Sequence, residues 1–361
     1  MQKLSLRKKM FLRGIFVLLV ILGLAFPIHA VEKLPPCNAD LSQTTVSGLS
    51  SGAFMATQFH VAYSNLIVGA GIIAGGPYYC SGSHSHSTFN PPIFYLSNAM
   101  NVCMAPIAGT GPDADELFKR AEEFASNGWI DPLENLKNDR VYIFSGSSDR
   151  TVLTSVVNET EAFYKKAGVP SQNIRYNKSV NAGHCISVAE YDTPCPETKS
   201  PYINDCDFIQ SHRILTHLYG RLNPPATTLS SKVQRFDQSA FLDKESLELT
   251  CMSDTAYIYI PKSCETESCK VHVAFHGCLQ SDENIGDKYY TQTGYNELAD
   301  TNNIILLYPQ VEKSIPANPM GCWDFWGYSN PNRSQPNFYR KSSLQMTAFV
   351  HMLDRLAQSR N

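Results

Sequence analysis

Residues Val46-Ser47-Gly48-Leu49-Ser50-Ser51-Gly52-Ala53-Phe54 constrain this chain more than any other stretch. A β-prone run enters Gly48-Leu49-Ser50-Ser51-Gly52, a match to GxSxG, and a proline-free segment able to form a helix leaves it. A strand that becomes a helix within five residues puts the central serine on a strained turn, where neighbouring Cβ atoms would collide unless glycines flank it. Ser50 is then the candidate nucleophile, and the backbone N–H of Ser51 is one half of an oxyanion hole. Alone, the pattern is more often an ordinary turn, so its meaning depends on partners elsewhere in the chain.

Lys3, Arg7, Lys8, Lys9 and Arg13 precede an apolar run from Ile15 to Phe26, which ends near Ile28-His29-Ala30. This reads as a signal peptide over residues 1–30, because the run is shorter than the ~20 apolar residues that span a bilayer. No membrane span is expected after its cleavage, and residues 31–361 are read as a single catalytic domain. Five of the 30 basic residues lie in the leader against 33 acidic residues in all, so its removal takes the formal charge from −3 to −8. An acidic chain without a basic patch does not suit a nucleic-acid partner. Eleven cysteines in an exported chain imply disulfides. Cys264 with Cys269, and Cys195 with Cys206, are spaced as local clips, and the odd total leaves at least one cysteine without a partner in the chain.

Strand-like runs alternate with helical ones along the chain. Ile67 to Ala74 is an apolar strand stopped by Gly75-Gly76-Pro77, and Tyr78 to about Pro106 reads as a loop. His84 and His86 lie in that loop without a third ligand at a metal spacing, so neither a metal nor a cofactor is expected. A helix over Asp115 to Phe124, a strand over Arg140 to Ser145 and a helix over Leu153 to Lys166 follow. A strand near Ile174-Arg175-Tyr176 and a helix over Ile209 to Tyr219 come next, and then a polar segment to about Ser253 that reads as irregular. Strands resume at Tyr257, Val271 and Ile304, with helices near Tyr295 to Asp300 and at the carboxyl terminus. This alternation predicts an α/β fold with a mostly parallel sheet flanked by helices.

Two further residues follow strands through small-residue turns: Asp149 after Gly146-Ser147-Ser148, and His184 after Asn181-Ala182-Gly183. Taken singly, Asp149 is a helix cap and His184 a surface loop residue. Together with Ser50 they run in the order Ser, Asp, His, the chain order of an α/β-hydrolase triad. In that chemistry His184 takes the Ser50 proton, Ser50 attacks an ester carbonyl, and Asp149 holds the imidazole.

An HG-type oxyanion loop normally precedes the serine, yet here it comes late, as Ala274-Phe275-His276-Gly277-Cys278. The simplest account is circular permutation, with the N–H groups of Ser51 and Cys278 as the two donors and His276 serving the geometry of the loop. With these motifs in place, the sequence resembles the single-domain, circularly permuted poly(3-hydroxybutyrate) depolymerases of the α/β-hydrolase superfamily. The matching stretches are Val46–Met55, Ala74–Tyr79, Gly146–Val152, Val273–Ser281, Gly294–Gln310 and Gly321–Trp323. The resemblance implies Ser50, Asp149 and His184 as the triad, Ser51 and Cys278 as oxyanion donors, and Trp323 beside the substrate cleft. It also implies disulfides Cys278–Cys322 and Cys80–Cys103, and leaves Cys37, Cys185 and Cys251 unassigned.

An insoluble polyester requires a shallow cleft lined by apolar groups. Trp323, Phe325, Trp326 and Tyr328 crowd one loop, and Tyr78 and Tyr79 follow another strand, so Trp323 and Tyr78 are the candidate substrate-binding residues; packing against the core is the competing reading for Phe325 and Trp326. The expected function is a secreted or periplasmic carboxylic ester hydrolase, extracellular by preference, acting on poly(3-hydroxybutyrate) or related short-chain polyhydroxyalkanoates. The alternatives are a secreted esterase of the feruloyl or acetyl type and a non-catalytic exported surface-binding protein. The oligomeric state is open, with a monomer favoured.

Overall fold

The computed structural model describes residues 32–84 and 91–360. The expected signal peptide lies outside the described residues, as does His86.

Strand β1 (Asp40–Leu49) forms the centre of the fold. From Thr44 onward every residue of it is buried, because sheet neighbours flank it and side chains cover both faces. It pairs in parallel with β2 (Ile67–Ile73) on one side and with β9 (Lys270–Phe275) on the other. Beyond β2 lie β3 (Arg140–Phe144) and β4 (Ile174–Asn177), and beyond β9 lie β10 (Ile304–Tyr308), β8 (Thr255–Tyr259) and β7 (Gln234–Asp237). Among the described residues this is an eight-stranded sheet in the order β4-β3-β2-β1-β9-β10-β8-β7. It is parallel from β4 to β10, β8 runs antiparallel to β10, and β7 runs antiparallel to β8. The apolar runs of β2, β3 and β10 are the signature of strands covered on both faces.

Helices α1 (Ser51–Ala62), α3 (Ala114–Ser126), α4 (Thr154–Lys166), α5 (Gln210–Tyr219), α9 (Tyr295–Asp300) and α10 (Leu344–Ala357) fall near their expected places. All twelve residues of α1 are buried, since it is packed by Phe59 against Phe275 of the sheet and Phe349 of α10. Helix α2 (Pro91–Asn101) stands where the sequence reads as loop. Its prolines occupy the first turn, where a missing N–H costs nothing, yet they mask the helix in a composition-based reading. The segment read as irregular before Ser253 contains β7 and α6 (Lys244–Thr250), capped by Asp243 accepting from Ser246 N at 2.7 Å. Short helices α7 (Asp282–Ile285) and α8 (Lys288–Gln292) follow β9. A small parallel pair, β5 (Ile186–Val188) and β6 (Ile203–Asp205), lies directly after His184.

The disulfides Cys195–Cys206 and Cys264–Cys269 close the two expected local clips, and Cys80–Cys103 and Cys278–Cys322 join as the resemblance implies. Cys37, Cys185 and Cys251 are free and buried. Burial pushes the Cys185 thiol up to about 12, so it is inert rather than nucleophilic.

Candidate active site

The turn after β1 has the geometry the glycines require. Ser50 sits at φ 57° and ψ −123°, outside the ordinary regions for a residue with a side chain. A Cβ on Gly48 would lie 2.3 Å from the Gly52 carbonyl, and one on Gly52 would lie 2.4 Å from the carbonyl oxygens of Phe275 and His276. The elbow therefore presses on itself and on the end of β9. Ser50 N donates to Ile73 O at 3.0 Å, while Ser50 O accepts from Ala53 N and Phe54 N to begin α1.

Asp149 and His184 come together from different loops. Asp149 Oδ2 accepts from His184 Nδ1 at 2.7 Å, and Asp149 Oδ1 accepts from Thr151 N at 2.8 Å and Val152 N at 3.0 Å. The carboxylate is thus not the cap of α4, whose N-cap is Leu153 without a side-chain bond. His184 N donates to Thr198 Oγ1 at 2.9 Å, fixing the loop that carries the ring. Asp149 and His184 are buried. A carboxylate on Nδ1 selects the tautomer whose Nε2 is free to accept a proton. Ser50, Asp149 and His184 follow β1, β3 and β4, all parallel, so one edge of the sheet displays all three loops.

The candidate oxyanion donors face no competing acceptor. Among the described residues, neither Ser51 N nor Cys278 N donates a hydrogen bond within the chain. The position a Gly277 Cβ would take lies 3.3 Å from Leu49 O and 3.4 Å from Ser50 Cβ, which sets the oxyanion loop against the elbow. His276 donates through Nδ1 to Gly277 O at 2.7 Å and accepts Val311 N at Nε2, and burial pushes it down to about 4, so it stays neutral and structural.

The aromatic loop differs from expectation. Trp323 is wholly buried, packed edge-on against Phe275 and Phe349 and tilted against His276. Tyr78 is also wholly buried and donates its hydroxyl to Tyr339 O at 2.7 Å. Neither presents a side chain to solvent, because aromatic area this large is recruited to the core. Phe325 stacks on Phe54 at 4.3 Å and is buried, whereas Trp326 is half-buried.

Asp324 was not singled out in the sequence, although a lone acid among Trp323, Phe325 and Trp326 was a visible signal. Its Oδ1 accepts from the N–H groups of Trp326, Gly327 and Tyr328, and its Oδ2 from Ser329 N and Oγ. Burial raises its carboxyl above the usual range, against the pull of these donors.

A parallel sheet carrying this elbow at the end of a central strand defines an α/β-hydrolase. No protein-family model matches the chain. It is 40% identical over 336 residues to a poly(3-hydroxybutyrate) depolymerase of Delftia acidovorans, covering 91% of this chain and 63% of that longer protein. It is 35% identical to a polyhydroxybutyrate depolymerase of Talaromyces funiculosus, covering 89% of this chain and 91% of the relative. Two solved structures superpose with a TM-score of 0.78 at 34% identity, covering 90% of this chain and 98% of theirs. One is the PHB depolymerase of Penicillium funiculosum, and the other is a PHB depolymerase with a serine-to-alanine substitution in complex with an R3HB trimer. The chain belongs to the poly(3-hydroxybutyrate) depolymerase family of ester hydrolases.

Proposed function

We propose that this chain is a secreted serine hydrolase that cleaves ester bonds of poly(3-hydroxybutyrate) or related short-chain polyhydroxyalkanoates. The Asp149–His184 hydrogen bond carries the reading, since it gives an imidazole whose Nε2 is available to a nucleophile on the same sheet edge. His184 Nε2 removes the Ser50 hydroxyl proton as Ser50 Oγ attacks the ester carbonyl. The tetrahedral oxyanion is received by Ser51 N–H and Cys278 N–H. His184 then returns the proton to the departing alkoxide, and water repeats the attack to free the acid and restore Ser50.

Preference for a polymer over a soluble ester rests on helix α2. Ile93, Leu96 and Met100 recur at helical spacing and are 66%, 45% and 60% exposed, and Ile107 follows them. The helix is pinned beside the carboxyl end of β2 by Cys80–Cys103 and by Asn98 Nδ2 donating to Ser81 O and Ser83 O. An apolar stripe fixed at that rim suits an apolar solid better than a dissolved ester. The charged leader and the four disulfides among the described residues support export, and β9 and β10 beside β1 support a permuted order in one domain over residues 31–361. The protein acts as a monomer in this reading.

The test compares release of soluble hydroxybutyrate from a polymer film with turnover of a short nitrophenyl ester. Film erosion that disappears in Ser50→Ala is expected. Ester turnover without erosion would instead assign a soluble-ester esterase, and labelling by a fluorophosphonate that survives Ser50→Ala would overturn the nucleophile.

A further inference from the structure

We infer that Gln280 is a positioning residue that aims the Cys278 N–H at the oxyanion and ties that donor to the loop bearing His184. The inference rests on Ser50 as nucleophile and Cys278 N–H as oxyanion donor.

Gln280 is buried, and both ends of its amide are hydrogen-bonded. Its Oε1 accepts Gly277 N at 2.8 Å, and its Nε2 donates to Pro201 O at 2.9 Å and Tyr202 O at 3.3 Å. The partners dictate the amide orientation, because Gly277 N–H only donates and the two carbonyls only accept. The next peptide unit is held as firmly. Gly277 O accepts from His276 Nδ1 at 2.7 Å and from Gln280 N at 3.3 Å. Val311 N donates to His276 Nε2, which leaves Nδ1 as the protonated nitrogen.

A trans peptide points its C=O and N–H in opposite directions. Holding Gly277 O therefore fixes the direction of Cys278 N–H, and holding Gly277 N–H anchors the preceding peptide unit, so both planes that meet at Gly277 are restrained. Gln280 supplies contacts on both sides of Gly277, one through its side chain and one through its backbone.

The far end of the amide reaches the catalytic base loop. Tyr202 O, which accepts from Gln280 Nε2, also accepts from Ile186 N at 3.0 Å, two residues past His184. Tyr202 leads into β6, which pairs with β5 and so backs the His184 loop. One buried amide thus joins the oxyanion loop to the loop that carries the base, and it touches no reacting atom.

The experiment measures Gln280→Leu and Gln280→Glu with a soluble nitrophenyl ester, with rates counted per fluorophosphonate-titrated site. Leucine removes both bridges; glutamate keeps an acceptor for Gly277 but turns an oxygen toward the Pro201 and Tyr202 carbonyls, and it is the variant read if leucine does not fold. Expected are a kcat lower by roughly 10–100-fold, a KM within about twofold, and a parallel loss of affinity for a trifluoromethyl ketone, whose adduct is a tetrahedral oxyanion. A merely structural role lowers Tm without moving kcat per titrated site or ketone affinity, and that result overturns the inference, as does a loss confined to KM. Ser50→Ala separates the two levels. Labelling that vanishes in Ser50→Ala beside normal kcat in the Gln280 variants defeats the role of Gln280 alone, whereas labelling that persists defeats the nucleophile assignment and this inference with it.

Discussion

Asp149 divides its carboxylate between two tasks, with Oδ2 2.7 Å from His184 Nδ1 and Oδ1 taking the N–H groups of Thr151 and Val152. The second task fixes the direction of the first. Asp149→Asn preserves shape but offers His184 either an N–H or an uncharged oxygen. We expect kcat to fall by roughly 10³–10⁴-fold with the fold retained, measured by single-turnover acylation alongside circular dichroism. A loss below tenfold contradicts the assigned role.

Buried neutral histidines make the fold sensitive to acid. Burial pushes His272, bonded to Thr45 and Ser47, down to about 3, and His276 down to about 4. The unfolded chain takes up these protons once pH falls below ~6.5, so stability declines from there and levels off below the folded values. Urea midpoints should drop between pH 7 and pH 4, and His272→Gln should make the slope shallower by about one proton. A midpoint constant across that range rejects the coupling.

The Cys278–Cys322 bridge closes a 44-residue separation between the oxyanion loop and the Trp323 loop. Chain entropy assigns such a bridge about 4 kcal/mol. The Cys278→Ala/Cys322→Ala double variant keeps the Cys278 N–H but should melt several degrees lower and lose about tenfold in kcat through a looser donor. Unchanged kcat in the folded double variant separates the bridge from catalysis.

Gly52 has no room for a methyl group, since its Cβ would lie 2.4 Å from two β9 carbonyl oxygens. Gly52→Ala should cost about 3 kcal/mol or more and abolish activity, because the elbow and β9 must separate. Gly111→Ala is the control, meeting Pro106 only at 3.4 Å. Chemical denaturation of both proteins gives the comparison.

The apolar stripe of α2 separates adsorption from chemistry. Replacing Ile93, Leu96 and Met100 together with Asn removes apolar area worth a few kcal/mol on a surface, so binding to a polymer film should drop at least ~10-fold. Soluble ester turnover should stay within about twofold. Equal losses on both substrates, measured by depletion binding and by rate, place the stripe in folding rather than adsorption.

Some of this molecule was legible because its cause is local. The glycines around Ser50 announce a turn that only small residues tolerate, and β2, β3 and β10 announce burial by unbroken apolar runs. Other features were hidden for equally physical reasons. Helix α2 begins with two prolines, and β7 is a short polar edge strand, so neither carries a strong periodic signal. Trp323 and Tyr78 looked like cleft residues because aromatics in loops often bind; the fold turned both inward, Trp323 packing edge-on against Phe275 and Phe349 and Tyr78 donating its hydroxyl to Tyr339 O.

By itself the sequence determined the order of the candidate groups: a serine elbow, a carboxylate and a histidine after successive strands, and an HG loop late in the chain. It did so because side-chain type and turn propensity are properties of a few neighbouring residues. Only the tertiary structure decided which groups meet. Pairing of β1 with β9, more than 200 residues apart, brings Gly277 beside Ser50. Two loops close Asp149 onto His184, and the buried amide of Gln280 links the oxyanion loop to the histidine loop. Those contacts depend on sheet register and on hydrogen bonds between distant segments, and no local pattern encodes either.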